Sequence, residues 1–353
     1  MQHLVSAGFL VVALFTSPAF ADPVADFYKG KQIQFVIRSG VGGGYDLYAR
    51  VLGRHIGKHI PGNPTVIPVN MPGGGGIKAA NYVANVAPKD GTILTIVSQG
   101  LPVDQALGIN TGLEADLRNF NWLGNMSSHN QVSVVWHTSK TQSWEDAFKR
   151  ETVMGTTGAG SISTQVPALY NNVLGAKFKL VVGYADGADV NLAMERGEVD
   201  ARATNPWVSY KAVTPHLVEK KMIKPIVQVG MQKEPDLPDV PLMRDLAKTP
   251  EQKQVIDFIS RSVSVGRPIA TTPGVPPERV AALRKAFDAT LADPEFLAEA
   301  EKQRMEIRAM SGAELAQLIK DIIEAPADIR EKVKLAIVPT NAVEVPKTKK
   351  GAE

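Results

Sequence analysis

Cysteine is absent from all 353 residues. Thiol nucleophiles, thiolate zinc sites, iron–sulfur clusters and disulfides are therefore excluded together. An excess of one charge is also missing: 39 Lys and Arg stand against 36 Asp and Glu, for a net charge of +3. That is too little for a dedicated nucleic-acid binder, and no basic block interleaved with aromatics offers a phosphate-tracking surface. Low-complexity tracts and fixed-period repeats are lacking too, which argues against a disordered, fibrous or solenoid protein. What is present is ordinary globular composition, 44% hydrophobic and 21% charged. The length suggests about two domains, each able to bury a core.

Residues 4–21 are apolar and end in Ala19-Phe20-Ala21, an A-x-A pattern just after the helix-breaking Pro18. Residues 1–21 thus read as a signal peptide cleaved after Ala21; Ser6, Gly8, Thr16, Ser17 and Pro18 make a poor spanning helix. Without a cysteine the mature chain has no lipid attachment point. A soluble exported protein without disulfides fits a bacterial periplasm.

Beyond Asp22 the pattern alternates between β-branched runs and helical stretches. Strands are expected at 32–38, 65–69 and 92–97, with helices at 47–59 and 77–86 between them. The rhythm restarts with strands at 132–136, 152–154, 179–182, 199–203 and 225–229, and with helices at 161–174, 186–196 and 207–220. Pro276-Pro277-Glu278 opens a helix through Leu291, and Asp293-Pro294 opens another. Ser311 and Glu314 form a capping box for a helix through Glu324. Such an order implies an α/β fold with parallel sheets, whose ligands bind at the loops after the strands' C-terminal ends.

Two of those loops are glycine-rich. The first, Gly40 to Asp46, fails as a dinucleotide fingerprint: counting from Gly40 puts Tyr45 at the last small position, and from Gly42 puts Leu47 there. No acidic residue follows the second strand, where the chain reads Val69-Asn70-Met71, and no Gly-Lys-Ser/Thr completes a phosphate loop. Glycines at a helix N-terminus nevertheless expose N–H groups beside the positive end of the dipole, which favours an anion. The second loop, Gly155 to Ser161, repeats the device and adds the hydroxyls of Thr156, Thr157 and Ser161. Its bland alternative is that Ser161 only caps its helix, worth ~1 kcal/mol. Two such loops, one per lobe, point to a small anion clamped between them.

Several segments resemble the receptor component of tripartite tricarboxylate transporters, the Bug-type extracytoplasmic solute-binding proteins. The resemblance runs from about Tyr28 to Glu324 and rests on Gly40–Asp46, Asn70-Met71-Pro72-Gly73, Pro88-Lys89-Asp90-Gly91, Gly197-Glu198-Val199-Asp200, Leu237-Pro238-Asp239-Val240-Pro241 and Leu291-Ala292-Asp293-Pro294-Glu295, in that order. It implies a two-lobed, flytrap-like (type II) periplasmic-binding-protein fold that captures an organic acid, its carboxylate between the two glycine loops. The implied division is 22–128 with 263–336 as one lobe, 129–262 as the other, and 337–353 as a flexible tail. The implied partners are a small organic acid and membrane permease subunits, with no nucleic acid, no metal, no cofactor and a monomeric chain. The chain departs from the family's usual first loop at Gly40, where proline is usual, and at Tyr45, where threonine is.

The candidate ligand-binding residues are accordingly Ser39, Gly42, Gly43, Gly44, Tyr45, Asp46 and Gln99 from the first lobe. The second lobe supplies Thr156, Thr157, Gly158, Ser161, Tyr184, Arg202 and Asn205. Arg202 has two readings: a salt bridge to Asp200, Asp186 or Asp189, or a two-pronged grip on a distal carboxylate. Arg38, at the end of the first strand, is open in the same way. His55 and His59, four apart on one helix, have no intervening glutamate, and Lys58 between them would repel a metal ion. Arg50, Arg54 and Lys58 read as a solvated helix face. Without a triad pattern at His129, His137 or His216 and without G-x-S-x-G, a transport receptor is favoured over an exported enzyme. A ligand sensor serving a membrane kinase is the other alternative.

Overall fold

The computed structural model describes residues 22–158 and 161–345. The segment read as a signal peptide and the last residues of the expected tail lie outside them. Among the described residues no helix is long and apolar enough to cross a membrane.

Two six-stranded sheets form the frame. The first contains β1 (Gln32–Ile37), β2 (Thr65–Asn70), β3 (Ile93–Ile96), β4 (Asn121–Asn125), β10 (Pro268–Thr271) and β11 (Met310–Ser311), in the order β11-β4-β10-β3-β1-β2. The second contains β5 (Gln131–Trp136), β6 (Thr152–Thr156), β7 (Phe178–Val182), β8 (Ala201–Pro206), β9 (Ile223–Val229) and β12 (Ala342–Glu344), in the order β12-β7-β6-β8-β5-β9. The expected parallel ladders are present: β1 runs parallel to β2 and β3, and β6 to β7 and β8. β3 and β8 are buried at every position, as strands covered on both faces must be, whereas the edge strand β2 has no buried residue.

The antiparallel strands of the first sheet escape the sequence pattern, whereas β5 and β9 of the second fall on the expected runs at 132–136 and 225–229. β4 and β10 are short, and each departs from a β-rich run, β4 through Gly124 and β10 through Pro268. Both are pinned into the sheet by their neighbours, β10 by β3 on one side and β4 on the other. The helix expected at 207–220 is two helices, Trp207–Val213 and Pro215–Glu219. Pro215 has no N–H to continue the ladder, so the chain bends at Thr214. The capping box of Ser311 and Glu314 is present and opens the helix Gly312–Ile323.

The chain crosses between the sheets from β4 to β5 and returns just before β10. Asn125 ties the two crossings together: its Oδ1 accepts the N–H of Ser127 at 3.1 Å and of Arg267 at 2.7 Å. A third crossing corrects the expected tail. The helix Ala327–Ile337 packs on the second-lobe helices Ile162–Asn172 and Pro250–Ser262. β12 then adds to β7 in parallel register, Ala342 opposite Leu180. This part of the tail is an edge strand, because its backbone N–H and C=O groups complete a ladder that β7 would otherwise leave open. Apolar side chains from both sheets, among them Val36, Trp122, Met154 and Ala203, join one continuous core with Ile259, Leu315 and Val333.

Candidate ligand-binding site

The loops after β1, β3, β6 and β7 and the strand β8 meet between the sheets around a cavity of about 60 Å³. The first loop is shaped from within. Asp46, in the first turn of the helix Gly44–Ile56, accepts the N–H of Gly42 at 3.0 Å and the Nδ2 of Asn70 at 2.8 Å, and pairs with Arg50 at 2.8 Å. Burial alone would raise its carboxyl, but Arg50, Asn70 and the Gly42 N–H outweigh that and hold it below its ordinary value. Asp46 therefore fastens the loop and does not line the cavity, contrary to the expectation for it. Gly42, Gly158 and Tyr184 also lie off the wall. Gly158 abuts the Gly74–Gly75 backbone of the other lobe so closely that no Cβ fits there, and Tyr184 packs against Gly155.

The remaining expected residues are gathered: Ser39, Gly43, Gly44, Tyr45 and Gln99 from one lobe, and Thr156, Thr157, Ser161, Arg202 and Asn205 from the other. Ser161 does cap the helix Ile162–Asn172, accepting the Ser163 N–H at 3.3 Å, and it also faces the cavity. Gly44 lies close to the other lobe: a Cβ there would meet Ser209 Oγ at 2.9 Å across the cleft and the Arg267 guanidinium of its own lobe at 2.8 Å. Arg267, just before β10, itself donates to Ser209 Oγ across the cleft at 2.8 Å.

Charge is the dominant feature of the wall. Arg38, Arg202 and Arg267 are 5%, 8% and 4% exposed, and all three line the cavity. Among the described residues none has a carboxylate within 4.0 Å. Each guanidinium carries five N–H groups, yet each makes one side-chain hydrogen bond: Arg38 to Ser98 Oγ at 3.5 Å, Arg202 to Asn191 Oδ1 at 2.7 Å, and Arg267 to Ser209. The salt bridge to Asp186, Asp189 or Asp200 is thus not what holds Arg202. Burial depresses the basicity of Arg38 and Arg202, the mark of cations removed from water without a counter-charge.

Asp186 is the one acid of the wall. Its carboxylate is engaged at the N-terminus of the helix Gly187–Glu195, where it accepts from Ala188 N at 2.6 Å and Asp189 N at 3.2 Å. Burial, and then neighbouring Asp189, push it above its ordinary value. Three guanidiniums against this single carboxylate leave the cavity positive. Three further wall atoms are buried without partners: Arg38 Nε, Gln99 Nε2 and Thr204 Oγ1.

Tyr45 stands among these cations. The guanidinium carbons of Arg267 and Arg38 lie over its ring, 4.1 and 4.5 Å from the centre. Its phenol oxygen accepts the Gln99 N–H at 3.2 Å. Burial would raise the phenol, but the two guanidiniums outweigh it and hold it below its ordinary value.

Sequence reasoning left out Arg267, Gln131, Ser163, Thr204 and Asp186. The usable signal for Arg267 was its isolation in the small and apolar run Ser262–Thr272. The histidines lie elsewhere. His55 and His59 contact Glu299 and Asp293, each at 2.7 Å, on the outer face of the first lobe. His129 sits 3.5 Å from Glu234 near the crossings.

Two α/β lobes closed over a polar cavity at the ends of their parallel strands define a solute-binding receptor of the periplasmic-binding-protein fold. The chain belongs to the tripartite tricarboxylate transporter family receptors, whose model matches residues 49–335. It is therefore a receptor rather than an enzyme. The match begins after the first glycine loop, so Tyr45 lies outside it. Among solved structures, the periplasmic binding protein BugD is similar at 19% identity and TM-score 0.70, covering 88% of this chain and 98% of BugD. MatC (Rpa3494) from Rhodopseudomonas palustris, with bound malate, gives 19% and 0.68 over 86% of this chain and 99% of its own. Rpa4515 of R. palustris, with adipate, gives 19% and 0.67 over 86% and 97%. No curated protein matches the sequence.

Proposed function

We propose that this chain is a periplasmic receptor that closes on a small organic acid, holds it between two glycine-rich loops, and delivers it to the membrane subunits of a tripartite tricarboxylate-type transporter. One observation carries the reading: three buried guanidiniums without carboxylate partners face one cavity between the lobes. A buried unpaired ion costs several kcal/mol, and a bound carboxylate offsets that cost where three such cations gather. The Gly43–Gly44 and Ser161 helix N-termini add N–H donors on either side. The malate- and adipate-bound relatives fit the same ligand chemistry. Both walls of the cavity come from one chain, and the reading is of a monomeric receptor. Export follows the signal-peptide reading, and N-terminal sequencing of the periplasmic protein should start at Asp22.

A thermal-shift screen of mono-, di-, tricarboxylates and aromatic acids tests the binding. Ligand at a hundredfold excess over Kd should stabilise the protein by ~2.7 kcal/mol. Shifts produced only by neutral sugars or amino acids would overturn the assignment.

A further inference from the structure

We infer that Tyr45 is the specificity-determining residue of the cleft and restricts the receptor to short dicarboxylates. The inference rests on the receptor reading above and deepens it.

The charge of the wall sets the ligand's charge. With Asp186 ionised, Arg38, Arg202 and Arg267 leave a surplus of about two positive charges, which two carboxylates neutralise and one does not. The arginines also come from both sides: Arg38 and Arg267 flank β1 and β10 of the first sheet, whereas Arg202 lies in β8 of the second. A diacid joining the two groups would fasten the lobes together.

Space sets the ligand's length. A cavity of about 60 Å³ has room for about four to six water-sized groups, and two carboxylates fill nearly all of it. Tyr45 is the one aromatic of the described wall and follows two of its four glycines, Gly43 and Gly44. Its ring is not free to swing aside. Arg267 and Arg38 stack over it, and Gln99 N–H holds its oxygen. Every extra methylene between the carboxylates would have to occupy the volume the ring holds. Shortening the side chain opens that volume and leaves the backbone donors of the loop in place.

Isothermal titration of the full mature protein with malonate, succinate, glutarate and adipate tests this in wild type, Tyr45→Phe and Tyr45→Ala. Wild type should bind its best short diacid at least roughly tenfold more tightly than adipate. Tyr45→Phe keeps the ring and both stacks, so it should keep that ratio. Tyr45→Ala should reduce the ratio by about tenfold or more, whatever happens to its absolute affinity. A chain-length preference unchanged in Tyr45→Ala, or altered as much in Tyr45→Phe, would overturn the role of Tyr45. Wild type that binds no carboxylate would instead refute the receptor reading and this inference with it.

Discussion

The outer face of the first lobe and the wall of the cleft both carry several cations, and they treat them in opposite ways. On the outer face Arg54 and Lys58 each meet an anion, and two histidines contact the same carboxylates. Arg54 pairs with Glu299, Lys58 with Asp293 at 2.7 Å and Glu295 at 2.5 Å, and His55 and His59 with Glu299 and Asp293. The stripe expected to be a solvated helix face is solvated, and Arg54 and Lys58 on it pair with acids of the helix Pro294–Lys302 and its N-cap Asp293. In the cleft, three guanidiniums are far more deeply buried and none is matched within 4.0 Å among the described residues. Matched charges near water are worth little and can be lost cheaply. Unmatched charges out of water are costly, and a fold that keeps three around one cavity keeps them for something that enters it.

The largest effect should come from removing a cleft arginine. Arg202→Ala is expected to weaken a short dicarboxylate by ~2–5 kcal/mol while sparing much of the affinity for a matched monocarboxylate. Titration calorimetry with both ligands reads the difference, and equal losses would return Arg202 to a structural role.

Asp104 sharpens the comparison as an unmatched anion away from the cleft. It is buried in the helix Leu101–Leu107, both its carboxylate oxygens lack partners, and burial pushes its pKa up to about 7. The folded value lies above the unfolded one, so the folded state binds the extra proton. The protein should lose stability as pH rises from about 4 towards 7, at up to ~1.4 kcal/mol per pH unit from this group. Asp104→Asn should flatten that slope in urea titrations at pH 5 and pH 8 without changing ligand affinity. An unchanged slope would show that Asp104 does not gain its proton on folding.

A smaller effect is expected from Gly44→Ala. The new Cβ would press on Arg267 and Ser209, both side chains that can give way, so lobe closure should weaken by ~1–3 kcal/mol for every ligand alike. A loss confined to one ligand would argue that Gly44 touches ligand and not the opposite lobe. The smallest effect belongs to the outer face. Lys58 first, then the Glu295 N–H and His59, hold the Asp293 carboxyl well below the usual range. Lys58→Ala should lower the Tm only slightly, less still in high salt, and leave affinity untouched.

The frame was legible because strands write themselves as runs of β-branched and apolar residues, and β1 and β3 did so in the buried sheet and β2 at its edge. Glycine loops pointed to the cleft, since both helix N-termini there are local features. The misreadings share a cause. Asp46 lies in a binding loop by sequence, but an acid in the first turn of a helix has its own loop's N–H groups within reach, and Gly42 supplies one. Arg267 and Arg38 belong to strands far apart in the chain, and only the β10–β3–β1 order brings them to one ring. β12 is a pairing made across most of the second lobe, and no local pattern encodes it.

The central claim is that the cleft arginines serve a ligand and not the fold, and Arg202→Met tests it most directly. Removing a buried, unpaired charge in favour of an apolar side chain of similar length should leave the ligand-free Tm unchanged or raise it. The same substitution should abolish most of the Tm increase produced by a saturating short dicarboxylate. Melting curves of both proteins with and without the diacid give the two signs in one experiment. A ligand-free Arg202→Met protein that melts well below wild type, while keeping the full shift on adding the diacid, would contradict the account.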